Sequence, residues 1–211
     1  MNRVVLIGAG GHSKVIQDIV RMQKDYVLYA VLDDTIVEKT ISNGVIFENT
    51  EMLQDLKKDD VFFFIAIGNN NIRKNLVERF GIEKERYVTL IHPNAVVSDN
   101  ATIKNGSVVM ANATINSGAK IGYHSIINTN AVIEHDNYLG SYVHISPGAV
   151  LAGTVSVESG THIGAGAVVI PNQNIGEWSI VGAGATVINN IKENTTVVGS
   201  PAKIIKSNGM G

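Results

Sequence analysis

From Val97 onward an aliphatic residue recurs at every sixth position: Val97, Ile103, Val109, Ile115, Ile121, Ile127, Ile133, Leu139, Ile145, Leu151, Val157, Ile163, Val169, Ile175, Val181 and Val187. All sixteen are Val, Ile or Leu, in a chain type where roughly a quarter to a third of residues are aliphatic, so the register is imposed by structure. Four places after each, the residue is usually small: Ala101, Ser107, Ala113, Ala119, Ser125, Ala131, Ala149, Thr161, Ala167, Ser179 and Ala185 fit, while Asn137, Val143, Val155, Gln173 and Ile191 fit more loosely. A helix repeats at about 3.6 residues and a strand at about 2, so neither gives this period. A solenoid of short strands joined by tight corners does, with one large and one small side chain per hexad pointing inward and each coil stacking on the last. The register never slips between 97 and 192, so no long loop interrupts the coils.

The residues before Pro93 follow another rule. Strands are expected at Arg3–Ile7, Tyr26–Leu32, Val61–Ile67 and Tyr87–Ile91, and helices at Lys14–Gln23 and Ile72–Phe80. Strands alternating with helices imply a small parallel sheet of Rossmann-like α/β type. The expected domains are therefore 1–90 (α/β) and 91–211 (repeat).

Composition narrows the function. Of 211 residues 45% are hydrophobic and 17% charged, and the formal net charge is −2, which provides no basic field for nucleic acid or an anionic membrane. With no cysteine the chain has no disulfide, no thiolate zinc site and no cysteine nucleophile, and suits a reducing compartment. The apolar runs Val4–Ile7 and Val61–Ile67 are too short for a signal segment or a membrane span. A cytoplasmic protein without a membrane partner is the expectation.

Several short stretches carry a family resemblance: Gly8-Ala9-Gly10-Gly11-His12 after the first strand, Asp33-Asp34 after the second, Ala66-Ile67-Gly68-Asn69-Asn70 after the third, then Asn128-Thr129, Val132-Ile133-Glu134-His135-Asp136 and His144. Together with the hexads they resemble the bacterial hexapeptide-repeat sugar acyltransferases, the sialic acid O-acetyltransferases and the UDP-4-amino-sugar N-acetyltransferases of the bacillosamine pathway. The resemblance implies a left-handed parallel β-helix with three hexads per coil, a prism on the order of 25 Å long at about 4.8 Å per stacked strand. It also implies acetyl-CoA as co-substrate, a nucleotide sugar as acceptor, a homotrimer with sites between prisms, and no metal.

Acylating an amine from a thioester needs the reactants held together, a base for the nucleophile's proton and a donor for the carbonyl's growing charge. His135 is the candidate base. It lies two residues beyond the inward Ile133 and between two carboxylates, although an exposed histidine on a solenoid face has the same spacing. By resemblance Asp136 is its acidic partner, where relatives of the bacillosamine type carry Glu; Glu134 is the fallback. The resemblance assigns acetyl-CoA contacts to His144, Gly153, Ala165 and Ala183, with the Gly153 amide a candidate oxyanion donor. His162, one coil beyond His144, reads as plain surface. In the first domain Gly8-x-Gly10-x-x-Ser13 is one glycine short of a dinucleotide fingerprint, but a glycine turn at a helix N-terminus still receives anions. By resemblance Gly10, Gly11, His12, Asp33, Asp34 and Gly68 contact the nucleotide sugar. Three alternatives remain at this point: sugar O-acetylation with the same base, a γ-carbonic-anhydrase-like metalloenzyme, and a non-catalytic trimeric scaffold.

Overall fold

The structure is a computed structural model and describes residues 1–57 and 60–207. It divides into two compact units, Met1–Pro93 and Asn94–Gly211.

In the first unit β1 (Asn2–Ile7) is flanked in parallel by β2 (Tyr26–Leu32) and β5 (Val61–Ile65). Its β-branched residues are wholly buried on both faces, as a central parallel strand requires. Helix α1 (Gly11–Met22) packs Ile16, Ile19 and Val20 inward, α2 (Leu53–Leu56) is a single turn, and α3 (Asn70–Phe80) begins at the side-chain cap of Asn69, which accepts from Ile72 N–H at 3.0 Å.

The sheet departs from the expected one at its edge. A hairpin of β3 (Thr40–Ser42) and β4 (Val45–Glu48) extends it in the order β3-β4-β2-β1-β5, and the β3–β4 pair is antiparallel, so the sheet is mixed. Helix α1 starts three residues before the expected Lys14, and β5 ends two before Ile67. Of Tyr87–Ile91 only Leu90–Ile91 is strand; a one-turn helix at Lys84–Arg86 leads in, and Tyr87 bridges to Phe63.

In the second unit each aliphatic hexad residue is the second member of a two-residue strand, from Val96–Val97 to Thr186–Val187, sixteen strands in all. Successive strands go to three different sheets, and each pairs in parallel with the strand three hexads on. The first face holds Val96–Val97 through Thr186–Val187, the second Thr102–Ile103 through Asn174–Ile175, and the third Val108–Val109 through Ile180–Val181, extended by Thr195–Val198 and Lys203–Ser207. The hexad aliphatics and small residues form one continuous core. Corners are made by left-handed residues: Asn112, Asn130, Asp136, Thr154 and Asn172 have φ near +60°, and glycines occupy most of the others. Asn and Asp enter this region more readily than other side-chain-bearing residues, which explains their frequency at the turns.

Candidate active site

The corner between the first and second faces carries the candidate base. Val132–Ile133 enters the corner, Ile133 is buried, and Asp136 turns the chain with φ +59°. That backbone aims the carboxylate at the preceding ring: His135 Nδ1 lies 2.9 Å from Asp136 Oδ2. A neutral imidazole bonded so carries its proton on Nδ1 and leaves the Nε2 lone pair to accept. Both side chains are exposed, 61% and 66%. The short side chain of Asp is therefore sufficient, because the left-handed turn supplies the reach that Glu would otherwise give. Glu134 is not the ring's partner; its Oε2 accepts from the His135 N–H at 3.3 Å.

Two glycines make room for this pair. A Cβ on Gly153, one coil on, would sit 2.5 Å from His135 Nε2, and one on Gly118, one coil back, 2.4 Å from Asp136 Oδ1. Gly153 is thus the seat of the imidazole ring. The expected acetyl-CoA set divides accordingly. Gly153 stays with His135, whereas His144 lies on the third face, and Ala165 and Ala183 are exposed at the corner between the third and first faces. In a three-faced coil the corner of His135 stands opposite the face of His144, so one chain does not join them.

On the third face His144 and His162 stack ring on ring, centroids 4.8 Å apart and 2° from parallel. Asn128 Nδ2 is 3.1 Å from His144 Nε2, and Ser146 Oγ is 2.7 Å from His162 Nε2. His162 is therefore not plain surface. Asn128 and Ser146 carry no spacing signal of their own; their column is visible only once coils are stacked.

In the first unit the carboxyl ends of β1, β2 and β5 border a crevice of about 360 Å³ lined by Gly8, Asp33, Asp34, Thr50, Ile67 and Ile72, among others. A crevice at these strand ends, where the sheet order turns back, is where ligands of open α/β sheets sit. Gly8 has φ +115°, and a Cβ there would meet Ile67 Cδ1 at 2.6 Å, so this glycine serves packing. Gly10, Gly11 and Gly68 face open space, and Gly10 caps α1 with its backbone alone.

Asp33 holds the glycine turn: Oδ2 accepts from Ala9 N–H at 2.8 Å and Oδ1 from the Thr35 N–H and hydroxyl. Burial would raise its pKa, but the bonds from Thr35 and Ala9 outweigh it and keep the carboxyl below the usual range. Asp34 is held down by the Thr50 hydroxyl and by Arg79, 2.8 Å away. His12 is the reverse case. Burial, then the nearby Arg73 cation, lowers its pKa from 6.5 to about 4. Arg73 is itself buried, donating to the carbonyls of Ile67 and Gly68 and to Asn70 Oδ1.

Comparison with known proteins follows the two units. The PglD N-terminal domain family matches residues 3–80 and the GMPPB C-terminal domain family residues 83–178. A mutant of perosamine N-acetyltransferase from Caulobacter crescentus, solved with CoA and GDP-perosamine, superposes with TM-score 0.90 at 36% identity over 98% of both chains. The chain belongs to the hexapeptide-repeat sugar acyltransferase family.

Two further relatives place this chain within the family. The acetyltransferase domain of PglB from Neisseria gonorrhoeae FA1090, solved with acetyl coenzyme A, matches with TM-score 0.87 and 34% identity over 97% of this chain and all of that one. UDP-N-acetylbacillosamine N-acetyltransferase of Bacillus subtilis (strain 168) is 49% identical over 115 residues, 53% of this chain and 52% of that protein. The matched segments thus span about half the length of the curated relatives. The fold is the family's α/β domain followed by a left-handed parallel β-helix. Among the described residues no cluster of three His, Asp or Glu side chains could hold a metal ion, and no helix is long and apolar enough to cross a membrane.

Proposed function

We propose that the protein transfers the acetyl group of acetyl-CoA to the amine of a nucleotide-linked 4-amino sugar. The observation that carries this reading is the His135–Asp136 pair at 2.9 Å on an exposed corner of a chain so similar to perosamine N-acetyltransferase. The first unit binds the nucleotide sugar at the open end of its crevice, with Gly10, Gly11, His12 and Gly68 beside the ligand and Asp33 and Asp34 shaping the loops. The second unit performs acyl transfer.

The sugar amine attacks the thioester carbonyl, and His135 Nε2 takes a proton from the attacking nitrogen. Asp136 keeps the ring in the right tautomer and stabilises the imidazolium. The Gly153 N–H serves the tetrahedral oxyanion. Collapse breaks the C–S bond, and the imidazolium returns its proton to the sulfur, releasing CoA. No acyl-enzyme is needed.

A homotrimer completes the site. His135 and the His144–His162 face lie on opposite sides of one prism, so a second prism is required to set a corner against a face, with His144, Ala165 and Ala183 along the acetyl-CoA groove. The cytoplasm, which supplies both substrates, is the proposed location.

The test is thiol release from acetyl-CoA with UDP- and GDP-linked 4-amino sugars, beside nucleotide sugars bearing only hydroxyls. Turnover confined to the amino sugars is expected; turnover confined to the hydroxyl sugars would replace N- with O-acetylation. Light scattering should give a trimer, and a fully active monomer would end the shared-site reading.

A further inference from the structure

We propose that Asn137 is a positioning residue for His135, its buried amide fixing the corner that presents the imidazole. This rests on His135 being the base, and the experiment below separates the two.

Asn137 occupies the small inward slot of its hexad and is 1% exposed. The coils before and after fill that slot with Ala119 and Val155, both buried and apolar. Asn137 Nδ2 donates to Glu134 O at 2.7 Å and to Ala152 O at 2.9 Å, with His135 O further off at 3.5 Å. Glu134 immediately precedes His135, and Ala152 immediately precedes Gly153. Because peptide units are planar, holding these two carbonyls fixes the planes from which the His135 side chain and its glycine seat depart. A single amide therefore sets ring and seat relative to each other across two coils. The reverse amide orientation would place oxygen against two carbonyls, so the donor assignment follows from the network.

The arrangement leaves a group unsatisfied. Asn137 Oδ1 is buried and has no hydrogen-bond partner among the described residues. An apolar residue of the neighbouring coils would avoid that stability cost. Ser107, Ser125 and Thr161 clamp a carbonyl fifteen residues on in the same way at another corner, but in its own column Asn137 stands between apolar residues, at the coil bearing the His–Asp pair, and positioning accounts for that exchange.

The experiment compares N137V, N137S and H135A with the wild type, using acetyl-CoA with GDP-perosamine and with a UDP-linked 4-amino sugar. N137V copies Val155 of the next coil and is expected to keep or raise the thermal midpoint. Its kcat should fall about tenfold or more, with both KM values within about twofold of wild type. N137S keeps one donor and should lie between. A purely structural role would instead lower the midpoint and leave kcat per folded enzyme unchanged. Should N137V not fold, an undiminished kcat in N137S would overturn the proposal. If H135A loses turnover while N137V keeps it within about twofold, positioning fails and the base survives. If H135A keeps turnover, both fall. A crystal structure of N137V supplies a readout that needs no acceptor: the ring should leave its seat on Gly153, and an unmoved ring would refute the idea.

Discussion

His135 and His12 occupy opposite surroundings in the two units. His135 stands on an exposed corner with a carboxylate 2.9 Å from Nδ1 and a glycine against Nε2. His12 is enclosed at the start of α1, near the Arg73 cation, and its Nε2 has no hydrogen-bond partner among the described residues. Burial and a cation oppose the protonated form of the His12 ring. The α/β unit therefore holds an imidazole kept neutral, suited to hydrogen bonding without charge, whereas the prism presents one oriented by a neighbouring carboxylate. In the proposed reading, histidine serves catalysis in one unit and recognition in the other because of what surrounds each ring.

The sharpest way to break this contrast is to remove each histidine. H135A should reduce kcat by about 10²–10⁴-fold, the usual range for a lost general base, with little change in thermal midpoint because the side chain is exposed. H12A should raise the KM for the nucleotide sugar and largely spare kcat under saturation. Steady-state kinetics with acceptor varied at fixed acetyl-CoA check both. Equal loss of kcat in the two variants would collapse the distinction.

The next largest effect tests the ring's seat. Gly153 is not in the left-handed region, so alanine fits its backbone, but its Cβ would meet Nε2 at 2.5 Å. G153A should lower kcat about ten- to a hundredfold while the prism stays folded, since a misplaced base loses its geometry. G10A is the control, as its Cβ would meet nothing within 4 Å. It should alter nucleotide-sugar KM alone. Circular dichroism melts accompany the kinetics.

The hexad register placed all sixteen prism strands, because one inward aliphatic per strand is a strict local rule. The β3–β4 hairpin escaped although its turn was written in Asn43-Gly44, both left-handed at φ +49° and +77°. Its strands are three and four residues long, and Thr40–Ser42 is exposed, so hydrophobic alternation gave no signal. At the site, resemblance alone points to Asp136, and its left-handed turn explains how the short Asp side chain reaches the ring. The Gly153 seat and the Asn137 clamp depend on contacts between coils, which appear only when the sequence is folded into columns. The sequence gives no sign of the His162 contacts for the same reason: its partners, His144 and Ser146, belong to the coil before.

D136N sharpens the chemical side of the contrast. Asn adopts the same turn at positions 112, 130 and 172, so the corner should persist while the carboxylate's charge is lost. A fall in kcat of about tenfold to a hundredfold is expected, smaller than for H135A because Nε2 remains in place. An unchanged kcat would show that the ring needs no charged partner.

The smallest effect comes from the neutral histidine and is read as stability. In the unfolded chain His12 titrates near 6.5, in the folded one near 4. Between these values the unfolded state binds more protons, so stability rises with pH across that window and is lost as pH falls through it. The loss from pH 7 to pH 4 should be on the order of 2 kcal/mol for a group this enclosed. Asp33 and Asp34, with lowered pKa, lose their stabilising bonds at still lower pH, so their acid sensitivity lies mostly below the His12 window. The diagnostic is a difference: thermal midpoints of wild type and H12Q across pH 4 to 7.5, in which the other histidines cancel. H12Q should lose less stability on acidification than wild type. Parallel curves would mean that the His12 ring accepts a proton in place, and the recognition half of the comparison would then need a charged imidazole beside Arg73.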